Sequence, residues 1–503
     1  MFPMEALMHR GLERAVDRFG DRTAIRAAGG AWSFRDLNEL SNGFAAHLAA
    51  EGVVHGDRVA VMTSNRVEFV VAVHAISKVG AAAVLLSPAW KSVEVDHALR
   101  LTAPVHAVVD GSAVDLIAPK LPITDLDQGA HGCGHADQSW FDAAGSETDE
   151  SVLVFSSGTT GLPKAVRHTH RSMAHATRHW CEVLGLGPED RFQVATPPSH
   201  ILGLLNLLAA IEAGATVRLH QRFDLGEILA RIQDERMTLE MAVAPIALAM
   251  ANHPNLEDYD LSSLRYIMWG ATPVTESVAR TVTERTGVRW LPAYGASELP
   301  VIACNPVGEP QNWRLDSAGL PPTGVELRVV SLETGEALPA GEIGEIQVRS
   351  PSAMIGYLPE EATVDAFADD WYRTGDVGWL EVGGWVHLTD RSKEMIKVNG
   401  FQVAPAEIEA VLLGHRAVRD CAVFGLPDER AGEVPVAAVE LKAAERVDEH
   451  ELQALVASSL ATYKHLRHVI VVDSIPRLPS GKALRRTLRD HWTPLLLQPG
   501  QGD

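Results

Sequence analysis

Basic charge is in deficit in this chain. Its 503 residues hold 44 Lys and Arg against 65 Asp and Glu, a formal net charge of −21. Nucleic-acid binding rests on cationic side chains that release counterions from phosphates, and no such surplus exists here. Cysteine is scarce. Cys133, Cys181, Cys304 and Cys421 lie far apart with no CxxC among them, which argues against a disulfide scaffold and fits a reducing cytoplasm. Long apolar runs are missing as well. ILGLLNLLAAI (201–211) and MAVAPIALAMA (241–251) fall well short of the roughly 20 residues that a membrane span needs. The first twenty residues carry charges at helical spacing and no continuous apolar stretch, so no signal peptide is expected. Gly and Pro counts of 41 and 28 are ordinary, which excludes collagen-like and low-complexity classes. With 46% apolar residues, the chain can bury a large core, and its length points to two or three domains.

Short apolar runs alternate with amphipathic helical stretches over most of the chain, the pattern of an α/β fold. DRVAVMTS (57–64), SVLVFSS (151–157) and LRYIMWG (264–270) read as strands, and LGEILARIQDERM (225–237) and TESVARTVTERTG (275–287) as helices. From about Gly324 the texture turns to Gly-rich strand-and-turn segments, a β-rich subdomain. After Lys393 a unit of domain size follows, read as strand (MIKVNGFQVA), helix, two strands, helix and strand. The expected division is therefore 1–392 for a large N-terminal domain and 393–503 for a small α+β domain.

The segment 151–172, SVLVFSSGTTGLPKAVRHTHRS, concentrates chemistry. An apolar strand runs into Ser156, Ser157, Gly158, Thr159, Thr160 and Gly161, then Lys164, with a helix expected after it. Glycines allow close backbone approach and hydroxyls donate to phosphate oxygens, so the loop suits a polyphosphate; a polar turn is the plainer alternative. A Walker A loop needs GxxxxGK[ST], and here Pro163 precedes the lysine and Ala165 follows it. His175 and His179 stand at i,i+4, a zinc-compatible spacing, but no third ligand is in register. His131 and His135 in HGCGH fall in a Gly-rich stretch.

Further motifs follow in order: PPSHILG with His200, GATP (270–273), YGASE with Tyr294, Gly295, Ser297 and Glu298, GEIGEIQVRSPSAMIGY, YRTGD ending at Asp376, DRSKEMIKVNGFQVAPAEIE with Arg391, and PRLPSGK with Lys482. Together they resemble the adenylate-forming superfamily of acyl-CoA ligases, nonribosomal adenylation domains and firefly-type luciferases, over nearly the whole chain. KVNGFQVAPAEIE is most similar to the aryl- and acyl-CoA ligase branch, which includes the 4-coumarate–CoA ligases. Ala165 and Ser297 depart from the commoner Gly and Thr.

The resemblance implies ATP, Mg²⁺ and CoA as participants and a small domain that rotates between two half-reactions. Residues 156–164 would hold the β- and γ-phosphates, and Glu298 and Thr159 the Mg²⁺. Tyr294, Gly295 and Ser297 would line the adenylate, with Gly270, Ala271 and Thr272 forming pocket wall. Asp376 would accept from both ribose hydroxyls, supported by Arg391. Lys482 would offset charge at the α-phosphate, and His200 would stand where acyl and nucleotide pockets meet. Lys393 is implied as the hinge, Lys397 and Gln402 as residues facing the adenylate after rotation, and Gly400 as space for pantetheine.

The acid pocket is expected along His200, Ile201, Leu205, Trp269, Gly270, Leu299, Pro300 and Val301. The stretch 201–206 holds no carboxylate, and a buried ammonium without a partner is costly. An aryl, alicyclic or medium-chain acid is expected rather than an α-amino acid, with Trp269 shortening the tunnel. The expected activity is ATP-dependent acid–CoA ligation. The alternatives are a stand-alone ligase that loads the phosphopantetheine of an acyl carrier protein, and a non-catalytic nucleotide-binding protein.

Overall fold

A computed structural model describes residues 6–128, 145–156, 163–270, 274, 276–391, 394–398, 401–428, 431–443, 445–477 and 482–496. Four sheets build the large N-terminal part and a fifth the small C-terminal part. The expected boundary at 392/393 lies outside the described residues. Among those described, no helix is long and apolar enough to cross a membrane.

The largest sheet has seven strands in the order Gly356–Leu358, Lys164–Thr169, Glu150–Ser156, Ala82–Leu85, Arg58–Met62, His106–Val109, Ile123–Asp125. Its inner strands are parallel, buried on both faces, and accordingly written as Val, Ala and Leu runs rather than alternating patterns. The edge is antiparallel. Glu150–Ser156 turns back as Lys164–Thr169, with Ser156 opposite Lys164, and Tyr357 lies opposite Val166 on the far side.

This corrects the expectation of a helix directly after the phosphate-type loop. A six-residue strand intervenes, and only then does helix His170–Leu184 begin, capped by Thr169 and Ser172 in a reciprocal box. Val166 and Thr169 favour extended backbone. Lys164 therefore opens a strand and not a helix, a second departure from the Walker A pattern beside the missing Gly-Lys-Ser/Thr.

A second sheet, Leu239–Ala242, Tyr266–Trp269, Trp290–Tyr294 and Ala303–Cys304, separates two cores. Tyr266 and Met268 face the main core, and Ile267 and Trp269 a second one beneath helices Leu225–Glu235 and Glu276–Thr286, as the two-residue period of a strand requires. A mainly antiparallel sheet of Glu326–Val330, Gly344–Arg349, Trp371–Leu380, Phe367–Ala368 and Val386–Arg391 carries the Gly-rich segments.

In the small C-terminal part, the long strand Gly432–Leu441 is central, pairing with Val418–Asp428 at the sheet edge and with Ile396–Val398 and His468–Val471 on its other side. Val423 and Cys421 pack to one side, Ala422, Phe424 and Leu426 to the other. MIKVNGFQVA is two strands rather than one. Ile396–Val398 pairs antiparallel with Phe401–Val403, setting Lys397 opposite Gln402. Asn-Gly between apolar residues is a strong hairpin signal.

One buried carboxyl predicts a pH dependence of stability. Glu240 is 2% exposed, accepts from Gln193 Nε2 at 2.8 Å, and burial pushes its pKa up to about 8. The unfolded chain loses this proton near pH 4.5, so between pH 4.5 and 8 the folded state binds more protons and stability falls as pH rises. Glu240→Gln keeps the bond from Gln193 and removes the titration. Denaturant unfolding at pH 5 and pH 8 is expected to show the wild type losing stability relative to this variant, at up to about 1.4 kcal/mol per pH unit. Parallel pH profiles would contradict the assignment.

Candidate active site

Two buried carboxylates define the site, and each is held by a tyrosine hydroxyl. Tyr294, at the end of strand Trp290–Tyr294, donates to Asp376 Oδ2 at 2.6 Å. Tyr357, in the edge strand of the largest sheet, donates to Glu298 Oε1 at 2.9 Å. Glu298 and Asp376 are both 8% exposed. Tyr372 lies among them, beside Tyr357 and close enough to feel both carboxylates. Burial, then the Glu298 charge, hold its phenol well above the usual range. Lys164 places its ammonium 5.2 Å from the Tyr357 ring centroid, a cation–π separation.

The loop that presents Glu298 is a tight turn. Ala296 and Leu299 exchange backbone hydrogen bonds at 3.0 and 3.3 Å, and a Cβ at Gly295 would meet the Pro300 carbonyl at 2.1 Å. Any side chain at 295 would open the turn. Two longer-range bonds fix it from outside. His168 Nε2 donates to the Ser297 carbonyl at 2.8 Å, and the Met354 amide to the Glu298 carbonyl at 2.8 Å. Burial pushes the His168 pKa down to about 4, so its ring is neutral.

Asp376 sits in strand Trp371–Leu380 opposite Arg391, and its amide donates to Thr374 Oγ1 at 3.0 Å. His200 is the N-cap of helix Ile201–Ala213, its Nδ1 accepting from the Leu202 amide at 3.3 Å. Burial lowers its pKa, and the neutral ring carries its proton on Nε2, a hydrogen-bond donor. The helix approaches the preceding chain so closely that a Cβ at Gly203 would stand 2.5 Å from the Pro197 carbonyl.

Family models match in two pieces along the chain: "AMP-binding enzyme" over residues 12–358 and "AMP-binding enzyme C-terminal domain" over 407–482. The chain belongs to the AMP-binding enzyme family. The adenylate-forming resemblance is thereby borne out. A relative in rice (Oryza sativa subsp. japonica), 4-coumarate–CoA ligase 5, is 34% identical over 95% of this chain and 93% of its own length. Among solved structures, ATP-bound MatB from Rhodopseudomonas palustris superposes with a TM-score of 0.90 at 27% identity, covering 98% of this chain and 100% of that one. An anthranilate CoA ligase in complex with anthranoyl-AMP gives 0.90 at 26%, with the same coverage. This AMP-binding enzyme is an AMP-forming acid–thiol ligase with the mixed α/β architecture of that family.

Within the family member, the other expected site residues fall into three groups. The first is the small part's own ion-pair network. Lys482 Nζ lies 2.6 Å from Glu394 Oε1, Arg485 bonds the other Glu394 oxygen, and Arg485 also clamps Glu409 at 2.9 Å. Lys397 is exposed, and its amide donates to Glu433 Oε2 at 2.8 Å. A crevice of about 290 Å³ separates Pro292 and Ala293, beside Tyr294, from Ala406 and Glu407 of the small part.

The second group is the expected acid pocket. Ile201, Leu205, Leu299 and Val301 are buried together in the main core, with Pro300 buried between the last two. Trp269 is not with them. It is fully buried on the opposite face of its strand, its ring centroid 5.1 Å from that of Trp290. The pleat sends Met268 toward the main core instead, 3.2 Å from where a Gly270 Cβ would stand. Trp269 is a core residue, and the expectation that it shortens the acid tunnel is withdrawn. Period-two counting from Tyr266 was the available signal.

The third group lies outside the described residues: Ser157, Gly158, Thr159, Thr160, Gly161, Ala271, Thr272, Lys393 and Gly400, along with His131 and His135. Ser156 is described, at the strand end opposite Lys164. For Arg391 and Gln402 only the strand positions are described. Four residues without an assigned role in the sequence reading emerge: Tyr357, Tyr372 and His168 beside the site, and Glu394 as the partner of Lys482. All stand inside quoted motifs, but only their partners, far off in sequence, reveal what they do.

Proposed function

We propose that this enzyme activates an apolar carboxylic acid with ATP to acyl-AMP and pyrophosphate, then transfers the acyl group to the thiol of CoA. The observation that carries the reading is the gathering of Lys164, Glu298 and Asp376, from three separate motifs, around Tyr357, Tyr372 and Tyr294. Attack of a carboxylate on the α-phosphorus brings anion against anion, so positioned positive charge and orientation matter more than a general base. Lys164 would meet the distal phosphates and Lys482 the α-phosphate. Asp376 would take the ribose hydroxyls, with Arg391 in support, and Gly270, Ala271, Thr272, Gly295 and Ser297 would wall the nucleotide.

A divalent cation fits the donor set present. Mg²⁺ takes oxygen ligands and needs only one or two carboxylates besides phosphates and water. Glu298 offers an oxygen that no described residue hydrogen-bonds, and Thr159 would complete the protein's share. When bound, Mg²⁺ would neutralise phosphate charge. The acyl pocket would run along Ile201, Leu205, Leu299, Pro300 and Val301, with the His200 Nε2 proton directed at the carboxyl or adenylate. Asn206, the polar side chain of the stretch 201–206, already accepts from Trp180 Nε1 at 2.8 Å, and that stretch holds no carboxylate for a substrate ammonium. The aromatic acids named in the relatives, 4-coumarate and anthranilate, agree with an aryl substrate. For the second half-reaction, rotation about Lys393 would bring Lys397, Gln402 and Gly400 to the adenylate. A cytoplasmic setting suits buried free thiols such as Cys304 and Cys421.

Acid-dependent pyrophosphate exchange over a panel of aryl, alicyclic, fatty and amino acids tests the reading, followed by AMP release with CoA or with a carrier protein. Exchange with aryl or alicyclic acids and AMP release with CoA are expected. Exchange without turnover of CoA would favour the carrier-protein loader, and no exchange with any acid a non-catalytic protein.

A further inference from the structure

The geometry points to Tyr357 as a positioning residue that fixes the metal-side carboxylate Glu298. This inference rests on the reading of Glu298 as the Mg²⁺ ligand. The Tyr357 hydroxyl donates to Glu298 Oε1 at 2.9 Å. A phenol has one proton, and this bond uses the one on Tyr357. The contact from Tyr357 O–H to Glu298 orients the carboxylate. It holds one oxygen of the carboxylate and leaves the other clear of described hydrogen-bond donors.

Backbone contacts alone leave the Glu298 side chain free to turn. The His168 and Met354 bonds reach the backbone carbonyls of Ser297 and Glu298 and stop there. The buried Tyr357 phenol therefore sets the carboxylate plane, and it and its neighbour Tyr372 are themselves held. Tyr357 and Tyr372 are 8% and 5% exposed, Tyr357 is paired with Val166 of the neighbouring strand, which opens at Lys164, and the Phe367 ring packs edge-on to Tyr372 at 5.7 Å. The same Tyr357 ring lies under the Lys164 ammonium. One side chain thus sets the metal carboxylate with its hydroxyl and the phosphate lysine with its face. Hydrogen bonds to metal-ligating carboxylates act in this way, and their loss typically costs 10–100-fold in metal affinity.

Tyr357→Phe separates the two roles, because it removes the hydroxyl and keeps the ring beneath Lys164. Calorimetric titration of the full chain with ATP across a Mg²⁺ series reads the effect without turnover. The Mg²⁺ concentration for half-maximal ATP binding is expected to rise roughly 10–100-fold, while ATP affinity at saturating Mg²⁺ returns close to the wild-type value. Tyr372→Phe should shift the same midpoint less. The double variant Tyr357→Phe/Tyr372→Phe leaves no orphan phenol in the core, which guards against misfolding, and should match Tyr357→Phe. Glu298→Gln is the reference. If it shifts the midpoint while Tyr357→Phe and the double variant overlay the wild type, the positioning role is wrong and the metal reading stands. If Glu298→Gln overlays the wild type too, the metal reading fails and takes this inference with it.

Discussion

Lys482→Ala is expected to lose acid-dependent pyrophosphate exchange by roughly 10²–10³-fold or more, the size seen when one preorganised charge is removed from a transition state. The same variant should convert synthetic acyl-AMP and CoA to thioester at close to the normal rate, because the lysine is proposed to act on the α-phosphate alone. The structure makes the variant clean. Lys482 is paired with Glu394, and that carboxylate keeps Arg485, which Glu409 holds in turn. Truncating the lysine leaves no buried charge without a partner, so the small domain should keep its fold. Measuring the two half-reactions separately decides the matter. Equal loss in both would mean that Lys482 serves both arrangements or merely braces the domain, and a rotation between two states would have no support.

Asp376→Ala should weaken ATP use by roughly 10²–10⁴-fold in kcat/KM. Two ribose hydroxyls lose a charged acceptor, at about 1.5–3 kcal/mol each. Part of any loss could come from the fold, since the buried Tyr294 hydroxyl donates to Asp376 at 2.6 Å and would be stranded. Asp376→Asn separates the causes. It keeps an oxygen for Tyr294, so its unfolding midpoint should stay near the wild type while its KM for ATP rises. Exchange assays over an ATP series with either variant would remove Asp376 from the nucleotide site if the curves superposed on the wild type.

Both predictions use residues that sequence alone brought forward. The spans that the family resemblance assigns to phosphate, metal and ribose are short: Gly and hydroxyls at 156–161, an acid at 298, an acid after Thr-Gly at 376. Each is ambiguous alone, and it is their shared order along the chain that carries the resemblance. The α/β class was legible because strand and helix periods are local. The Lys164–Thr169 strand escaped notice since a six-residue stretch after a polar loop supports either period, and its pairing with Glu150–Ser156 and Gly356–Leu358 settles the outcome.

What the sequence by itself determined is therefore the class of chemistry: an adenylate-forming acid–thiol ligase of α/β architecture. Only the tertiary structure decided which side chain holds which. Tyr357 is 59 residues from Glu298 and Tyr294 is 82 from Asp376, and no propensity or spacing encodes a hydrogen bond between segments so far apart. Trp269 shows the same limit from the other side. Its neighbours in sequence suggest a pocket wall, but the sheet's pleat and the helices packed over Trp290 place it in the core. Chemistry is carried by residue type, which a chain states locally, whereas partnership is carried by distance, which exists only once the chain has folded.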